Sequence, residues 1–352
     1  MSSIIDENRP AGEYSGQTMP DTGKTRSAPF VFSGMGSEYF GIWIVNIILS
    51  IITFGIYSAW AKVRNKRYFY GNTELDKAVF EYTANPVRIL IGRVIAAFFF
   101  ILYFAAEQFS VMGGIAAWLL LIIFIPWAVR QSLRFNARNS RYRNVAFSFN
   151  GSLKESYLVF ILYPFLAFIT AGIMFPYAVY RQQAYIYNNH MYGTTGFSFN
   201  ATAGHYYKMF LRIIGVIIFF IALGMILFLM NNDLFMITAI PVIITANLLI
   251  IAMYNVRKAN IKFNNTVIAD HAFESDWSVW SYMKMYAGNT IGILLTLGLF
   301  IPWAKIRKAR YAAKHTRLRV YESLDRFAAA EEDRISAVGE GIGDLFDLDM
   351  GI

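Results

Sequence analysis

The chain has 352 residues, 56% of them hydrophobic and only 16% charged, with 31 Phe, 22 Tyr and 7 Trp and a formal net charge of +9. That share of apolar side chains exceeds what a soluble domain uses and places the chain among membrane proteins. The positive balance reads as the retained Lys and Arg of a polytopic protein rather than as a nucleic-acid surface, and the absence of cysteine excludes disulfides, thiolate catalysis and cysteine-based metal centres.

Residues 1–29 contain Pro10, Pro20, Pro29 and scattered charges with no apolar core of a signal peptide, and are expected to form a disordered lead. A first unit, 30–79, opens on the alternating piece Phe30-Val31-Phe32, continues through an apolar run at 39–60 and a basic tail of Lys62, Arg64, Lys66 and Arg67, and stops at Gly71-Asn72-Thr73. The second unit, 80–146, opens on Phe80-Glu81-Tyr82. It holds two apolar runs, about 89–109 and 115–128, which read as a helical hairpin ending in Arg130, Arg134, Arg138, Arg141 and Arg143. Unit three, 147–196, opens on Phe147-Ser148-Phe149 and has one run, 157–177, and a tail with Arg181. Unit four, 197–272, opens on Phe197-Ser198-Phe199 and is again a hairpin, about 213–230 and 235–253, turning at Asn231-Asn232-Asp233. Unit five, 273–320, opens on Phe273 and has one run, about 285–303.

The opening phenylalanines at 30, 80, 147, 197 and 273 are spaced by 50, 67, 50 and 76 residues, so short and long units alternate. The short units share the pattern T-x-G-x4-[WY]-A-x2-R-x3-Y. It is met by Thr53, Gly55, Trp60, Ala61, Arg64 and Tyr68; by Thr170, Gly172, Tyr177, Ala178, Arg181 and Tyr185; and by Thr296, Gly298, Trp303, Ala304, Arg307 and Tyr311. The long units keep a degraded version, Trp127, Ala128, Phe135 and Asn139 in one, Arg257, Asn265 and Thr266 in the other. Regular recurrence of this kind is the signature of an internal repeat. The pattern describes a helix leaving the membrane: Gly and the prolines 126, 176 and 302 loosen it, an aromatic sits at the headgroups, and cations follow. The expected fold is an all-α polytopic membrane protein of five internal repeats, three short and two helical hairpins, with short strand-like surface pieces. Those pieces either pair into a small sheet or ring at the membrane surface or serve as extended linkers.

If every apolar run crosses, there are seven spans, and the basic tails of units three and four fall opposite the others. If only the two hairpins cross and the three short-unit runs are re-entrant, all 32 Lys and Arg share one face, which the positive-inside rule favours. Against this, each short run is long enough to span. Residues 321–352 form an acidic tail, placed with the C-terminus in the cytoplasm, with Glu322, Asp325, Glu331, Glu332, Asp333, Glu340, Asp344, Asp347 and Asp349 against Arg326 and Arg334. Leu324, Phe327, Ala328 and Ile335 mark one face of a short helix, and Leu345, Phe346, Leu348 and Ile352 are apolar anchors. The tail is either solvated or folded back over the basic tails.

Polar residues inside spans are candidates for function: Asn46 and Thr53 in unit one, matched by Asn289 and Thr296 in unit five, and Asn247 in unit four. Hydrogen bonding between helices accounts for them as well as a permeation or ligand site does. His190, His205, His271 and His315 are scattered with no metal-ligand spacing, and no phosphate loop or nucleophile elbow occurs. The expectation is a protein with no enzymatic activity, cofactor or metal. One collective feature remains, the basic tails with interleaved aromatics. Arg64, Arg67, Arg134, Arg181, Arg257, Arg307 and Arg310 are the candidate anion or lipid-headgroup residues, since each cation near an anionic leaflet gains about 1 kcal/mol.

The motifs Phe30-x-Phe32-x-Gly34, Glu38-Tyr39, Thr53-x-Gly55-Ile56-Tyr57, Trp60-Ala61-x-x-Arg64, Tyr68-x-x-Gly71-Asn72-Thr73 and the acidic end Asp344-Leu345-Phe346-Asp347 resemble the YjgN-like family of bacterial inner-membrane proteins of unknown function. The resemblance runs from about residue 30 to the C-terminus. It implies a multi-pass location in the inner membrane of a Gram-negative bacterium and carries over no catalytic residue. The expected function is to bind or move a small or amphiphilic anionic solute, with membrane lipid, an anionic phospholipid, as partner and no nucleic acid. The alternative is a scaffold that recruits a soluble partner through its acidic tail.

Overall fold

The computed structural model describes residues 25–349 apart from 231 and 322. All but the end of the expected disordered lead, part of the 231–233 turn, and the side chains of the tail anchors Leu345, Phe346, Leu348 and Ile352 therefore lie outside the described residues.

Ten short strands close on themselves as an antiparallel barrel: β1 Arg26–Phe32, β2 Thr73–Leu75, β3 Ala78–Tyr82, β4 Ser140–Tyr142, β5 Val145–Phe149, β6 His190–Tyr192, β7 Thr195–Phe199, β8 Thr266–Ile268, β9 His271–Ser275 and β10 Thr316–Val320. The all-α expectation is corrected here, because the Phe-x-aromatic pieces pair instead of serving as linkers. Strands of three to seven residues have no stability alone, and closure supplies it by leaving no edge unpaired. Tight turns join β2–β3 and β4–β5 through Asp76-Lys77 and Arg143-Asn144, all four with positive φ between 48° and 65°, the twist that two-residue hairpins require. β10 pairs antiparallel with β1, so the first and last strands close the barrel.

Alternation along each strand turns one large side chain inward at equivalent register: Phe30 beside Leu75, Phe80 beside Tyr142, Phe147 beside Tyr192, Phe197 beside Ile268, and Phe273 beside Leu318. The five phenylalanine rings follow one another round the axis. Neighbouring centroids are 6.2 Å apart for Phe30–Phe80, 6.4 Å for Phe30–Phe273, 6.3 Å for Phe197–Phe273 and 6.4 Å for Phe147–Phe197. The barrel is therefore packed with aromatic and aliphatic side chains and is not an open tube.

Between strands the chain makes five helical excursions: α1 Gly36–Ile52 with α2 Ser58–Gly71; α3 Pro86–Phe109 with α4 Val111–Arg138; α5 Leu153–Tyr157, a π-helical turn Leu158–Leu162 and α6 Tyr163–Ile169 with α7 Phe175–Asn188; α8 Ala203–Met230 with α9 Asn232–Asn264; and α10 Val279–Leu295 with α11 Ile301–Lys314. Each leaves the end of one strand and returns to the start of its paired neighbour: Phe32 faces Thr73, Tyr82 faces Ser140, Phe149 faces His190, Phe199 faces Thr266, and Ser275 sits opposite Thr316. All ten helix ends therefore meet one rim of the barrel, and an excursion crosses the membrane twice or not at all. That excludes seven spans. Four helices, α3, α4, α8 and α9, are long and apolar enough to cross, with mean hydropathy from 2.2 to 3.1. α1 has 17 residues, about 25 Å of helix, and α2 carries Lys62, Arg64, Lys66 and Arg67. The three short excursions are hairpins that turn back.

The T-x-G pattern marks that reversal, which corrects its reading as a membrane exit. Thr53, Thr170 and Thr296 donate Oγ1–H to Leu49, Leu166 and Gly292 carbonyls at 2.7, 2.8 and 2.7 Å. The same oxygens accept N–H from Tyr57, Met174 and Phe300 at 2.9, 3.1 and 2.9 Å. Gly55, Gly172 and Gly298 follow with φ of 89°, 88° and 96°, a region L-residues rarely enter. The tips are apolar and bare, Phe54 at 98% and Leu297 at 94% exposure.

The Asn-Thr stop caps the returning helix. Asn72, Asn139, Asn189 and Asn265 donate Nδ2–H to Tyr68, Phe135, Tyr185 and Ile261 carbonyls at 2.8, 2.6, 2.8 and 2.8 Å, and Thr73, Ser140 and Thr266 donate to Phe69, Asn136 and Lys262 at 2.7, 2.8 and 2.6 Å. These bonds satisfy carbonyls that a helix end leaves open. Each stop residue's own carbonyl then accepts from the residue after the neighbouring strand: Ser33 N–H to Asn72, Thr83 to Asn139, Asn150 to Asn189, Asn200 to Asn265 and Asp276 to His315, at 3.0, 2.9, 2.9, 2.7 and 3.3 Å.

The opposite end of the barrel, where the tight turns lie, is covered by α12 Leu324–Asp349. Leu324 and Ala328 are buried against the barrel interior, and Phe327 lies 5.7 Å from Tyr192 and 5.1 Å from His271. The acidic tail thus folds back onto the barrel turns rather than onto the basic helix ends, with Asp325 paired to Arg143.

Candidate anion-binding site

The seven arginines of the basic tails do not converge. Arg67 donates to the Tyr82 and Ala84 carbonyls at 3.2 and 3.5 Å, Arg134 to Phe149 at 3.3 Å, and Arg310 to Gly34 at 3.0 Å. These three bind backbone where the next strand ends, so they join consecutive excursions. Arg307 donates to Asn289 Oδ1 at 3.3 Å. Arg181 lies 3.9 Å from Glu155 and over the Tyr163 ring, while its Nε, like that of Arg257, is buried without a hydrogen-bond partner. Arg64 is exposed.

The intramembrane polar residues divide the same way. Thr53 and Thr296 form the hairpin turns. Buried Asn46 donates to Asn65 Oδ1 at 3.1 Å and borders a cleft of about 360 Å³ with Ser50 and Lys305. Asn289 borders a second cleft, of about 290 Å³ between α10 and α11, which also contains Lys305 and Lys308. Asn247 lies in an otherwise apolar cleft of about 550 Å³ between α8 and α9.

A further cavity, of about 380 Å³, lies at the rim where the helices end, on the side of β1 to β6. Phe30, Phe80 and Phe147 form its floor, and Tyr70, Thr73, Asn136, Ser140 and His190 its walls. Lys66 Nζ reaches Asn136 Oδ1 at 2.6 Å and lies 4.4 Å from the Tyr82 ring centre. Burial, aided by Lys62, pushes the Lys66 ammonium down to about 8, because a low-polarity surrounding disfavours the charged form. Tyr70 donates its O–H to Ser140 Oγ at 3.2 Å, the Ser140 hydroxyl proton being given to the Asn136 carbonyl. His190 places Nδ1 2.6 Å from the Ile186 carbonyl. Its pKa is lowered by burial and by the nearby Lys262, against the opposing effect of that carbonyl. Lys262 holds its ammonium over the Tyr187 and Phe263 rings at 5.2 and 4.4 Å. No acidic side chain lines this cavity among the described residues.

Sequence reasoning placed Lys66 in a basic tail, passed over Lys262 and treated His190 as a loop residue. The signal lay in position relative to the stop. Asn136 and Lys262 stand three residues before Asn139 and Asn265, and Lys66 stands six before Asn72; residues three apart share a helix face. His190 occupies the strand-opening position held elsewhere by Thr73, Ser140, Thr266 and Thr316.

The helices form a ring. Besides the partners within each hairpin, α2 packs on α3, α4 on α5, α7 on α8, α9 on α10, and α11 on α1. The four spans are almost wholly unburied by protein.

The family described as a bacterial protein of unknown function, DUF898, matches residues 27–345, every strand of the barrel and the helices between them. The chain belongs to the DUF898 family. This DUF898 chain is similar to inner membrane protein YjgN of Escherichia coli (strain K12), 36% identical over 148 residues, which is 42% of this chain and 37% of that protein. It is also similar to inner membrane protein YjgN of Salmonella typhimurium (strain LT2), 31% identical over 140 residues, 40% of this chain and 35% of that protein. The matched stretch thus spans little more than a third of either relative's own length. No solved structure matches the DUF898 chain. With inner-membrane relatives and four apolar helices of spanning length, it is an integral membrane protein of the YjgN-like group.

Proposed function

We propose that this DUF898 protein is a non-enzymatic inner-membrane protein whose helix ring takes up an amphiphilic anion, a phospholipid being the natural class. The observation that carries this reading is the ring itself: hairpins that stand on one rim and pack side by side, with the four spans almost wholly unburied by protein. Apolar walls do not hold water, so acyl chains lie against these spans, and the basic rim meets the headgroups. The barrel and α12 lie in the cytoplasm, since the Lys and Arg of the returning helices gather at the barrel rim, while Phe109–Gly114 at the far tip of one hairpin carries none. The five excursions are copies of one building block; the recurring stop caps and rim hydrogen bonds support that reading.

The competing role, a scaffold recruiting a soluble partner through the acidic tail, is left with less surface. Glu331 is buried against the barrel, while Asp325, although paired to Arg143, remains exposed with Glu332 and Asp333. Native mass spectrometry of the detergent-extracted protein decides the matter. Retained phospholipid, enriched in anionic headgroups over the surrounding membrane, is expected; release of all lipid at mild activation, or retention that mirrors bulk composition, overturns the reading.

A further inference from the structure

We infer that the cleft between α10 and α11 seats one phospholipid of the cytoplasmic leaflet, with its phosphate at Lys305 and Lys308 and an acyl chain along Ile293, Leu294 and Ile301. The inference rests on the amphiphile reading above and gives that ligand a place.

The cleft, of about 290 Å³, is graded along its length. Ordered by their distance in the chain from the turn glycine Gly298, its lining passes from Tyr286 nearest the barrel rim through Lys308 and Lys305 to Ile293, Leu294 and Ile301 nearest the tip. The two lysines, three residues apart, share one face of α11. No acidic side chain lines the cleft among the described residues. Neither ammonium has an ion-pair or hydrogen-bond partner among them; Lys305 lies 5.9 Å from the centre of the Tyr39 ring of α1. The Tyr286 ring stands parallel to that of Tyr282, 6.3 Å away, and its hydroxyl is likewise without a partner among the described residues. One phosphate group can accept from both ammonium groups and from the phenol in short, charge-assisted hydrogen bonds. It would use only the rim half of the cleft. The apolar half commits the site to a ligand with a chain, and the volume, at the small end of ligand sites, suits a lipid that enters by its headgroup and the top of one chain while the rest stays in the bilayer. Charge toward the rim and chain toward the tip is the orientation that a lipid of the cytoplasmic leaflet already has.

The hairpin does not need these cations in order to fold. Counted from the turn threonines, Lys305 and Lys308 correspond to Val179 and Gln182 of the Thr170 hairpin. That hairpin makes the same turn, with Val179 buried and Gln182 donating to the Val159 carbonyl at 3.1 Å. In the Thr53 hairpin the same count puts Asn65 at the place of Lys308; its groove has one lining cation, and that is Lys305 of the neighbouring hairpin. By contrast, the polar groove beside α12 that contains Arg26, Lys77 and Arg143 has Asp76 and Asp325 within ion-pair distance of its arginines, and its positive charge is already met.

The test uses the full chain in nanodiscs of phosphatidylglycerol mixed with phosphatidylcholine. Wild type, the pair Lys305→Gln and Lys308→Gln, the charge-keeping pair Lys305→Arg and Lys308→Arg, and Lys77→Gln as a distant control are compared by native mass spectrometry after extraction. Retained phosphatidylglycerol is expected to fall about thirtyfold in the glutamine pair, from roughly fivefold per cation, and to persist in the arginine pair and the control. Equal retention in wild type and the glutamine pair overturns this site while leaving lipid binding intact; a wild type that retains no phospholipid overturns the amphiphile reading and the site together. A second arm places the chain. Phosphatidylglycerol with a diazirine on one acyl chain is expected to crosslink to α10 or α11 in wild type and to lose that crosslink in the glutamine pair. Labelling spread evenly over the four spans, the mark of an unselective lipid annulus, overturns the site. Should the glutamine pair fail to fold, the single Lys308→Gln variant against Lys308→Arg gives the same comparison at about fivefold.

Discussion

Glu331 has no exposed surface, yet it sits at the end of a barrel filled with phenylalanine and tyrosine. Its Oε2 accepts from Thr194 N–H at 2.6 Å, Thr194 Oγ1–H at 2.8 Å and Thr195 N–H at 3.2 Å, and Oε1 accepts from Thr195 Oγ1–H at 2.7 Å and Arg334 at 2.8 Å. Burial by itself raises the carboxyl pKa; the hydrogen bonds from Thr195 and Thr194, with Arg334, outweigh it and hold it below the usual glutamate range. A lowered pKa in the docked state means stability that is complete above the ordinary value of about 4.3 and lost as pH falls through the docked value. α12 is therefore expected to stay on the barrel at neutral pH and come off in acid. Glu331→Ala brings that release to pH 7 by removing about 2–3 kcal/mol of charged hydrogen bonding, read as protease cleavage after Leu324 in the variant and protection in wild type; cleavage that is equal in both counts against the role. None of this was legible in the sequence. Glu331 is one of nine acids in the tail, and its partners lie some 137 residues away. Arg67 was legible as a cation, but that it binds a carbonyl of the next excursion depends on a neighbour that the local pattern does not contain.

Hydropathy measured the apolar runs well and misread their path. A run of spanning length with Thr-x-Gly near its end looks the same whether the helix continues into water or doubles back, because an average over a window has no direction. The left-handed backbone of the turn settles it, with Phe54, Ala171 and Leu297 at φ of 49° followed by glycine near 90°. Gly172→Ala forces an L side chain into that region with nothing near to clash, so the cost is conformational, about 1–2 kcal/mol. The expected outcome is a lower thermal midpoint in detergent for Gly172→Ala, with no such loss for Gly196→Ala, whose added carbon also meets nothing and whose φ is not positive. Equal midpoints would show that the turn tolerates either residue. The stop signal was legible as punctuation and became a cap only once the carbonyls it satisfies were placed.

Spacing of the opening phenylalanines suggested a division into units, but the barrel was not visible, because its strands are shorter than any reliable pattern and six of their ten pairings join residues 41 or more apart. Nonlocal closure is what a window cannot see. It carries a topological prediction that the cysteine-free chain makes simple to check. Single cysteines at Lys77 and Asp270, both in turns at the α12 end, are expected to react with a membrane-impermeant maleimide from one side. One at Asn232, at the α8–α9 tip, reacts from the other, and one at Phe54, at the α1–α2 tip, from neither. Labelling of Phe54→Cys from the Asn232 side would mean that the short hairpins cross.

Four of the barrel's pairings are hairpins of neighbouring chain, whereas one joins Arg26–Pro29 to Arg317–Val320. During synthesis the ring therefore stands open until β10 has been made, with β1 and β9 each offering a bare edge. The segment that seals it is five residues long. A growing chain in a crowded membrane has an alternative: its β10 fits the open edge of another copy as well as its own, and two incomplete rings joined that way form an exchanged pair. Because α12 follows β10 directly, the strand that shuts the ring also delivers the helix that fastens it.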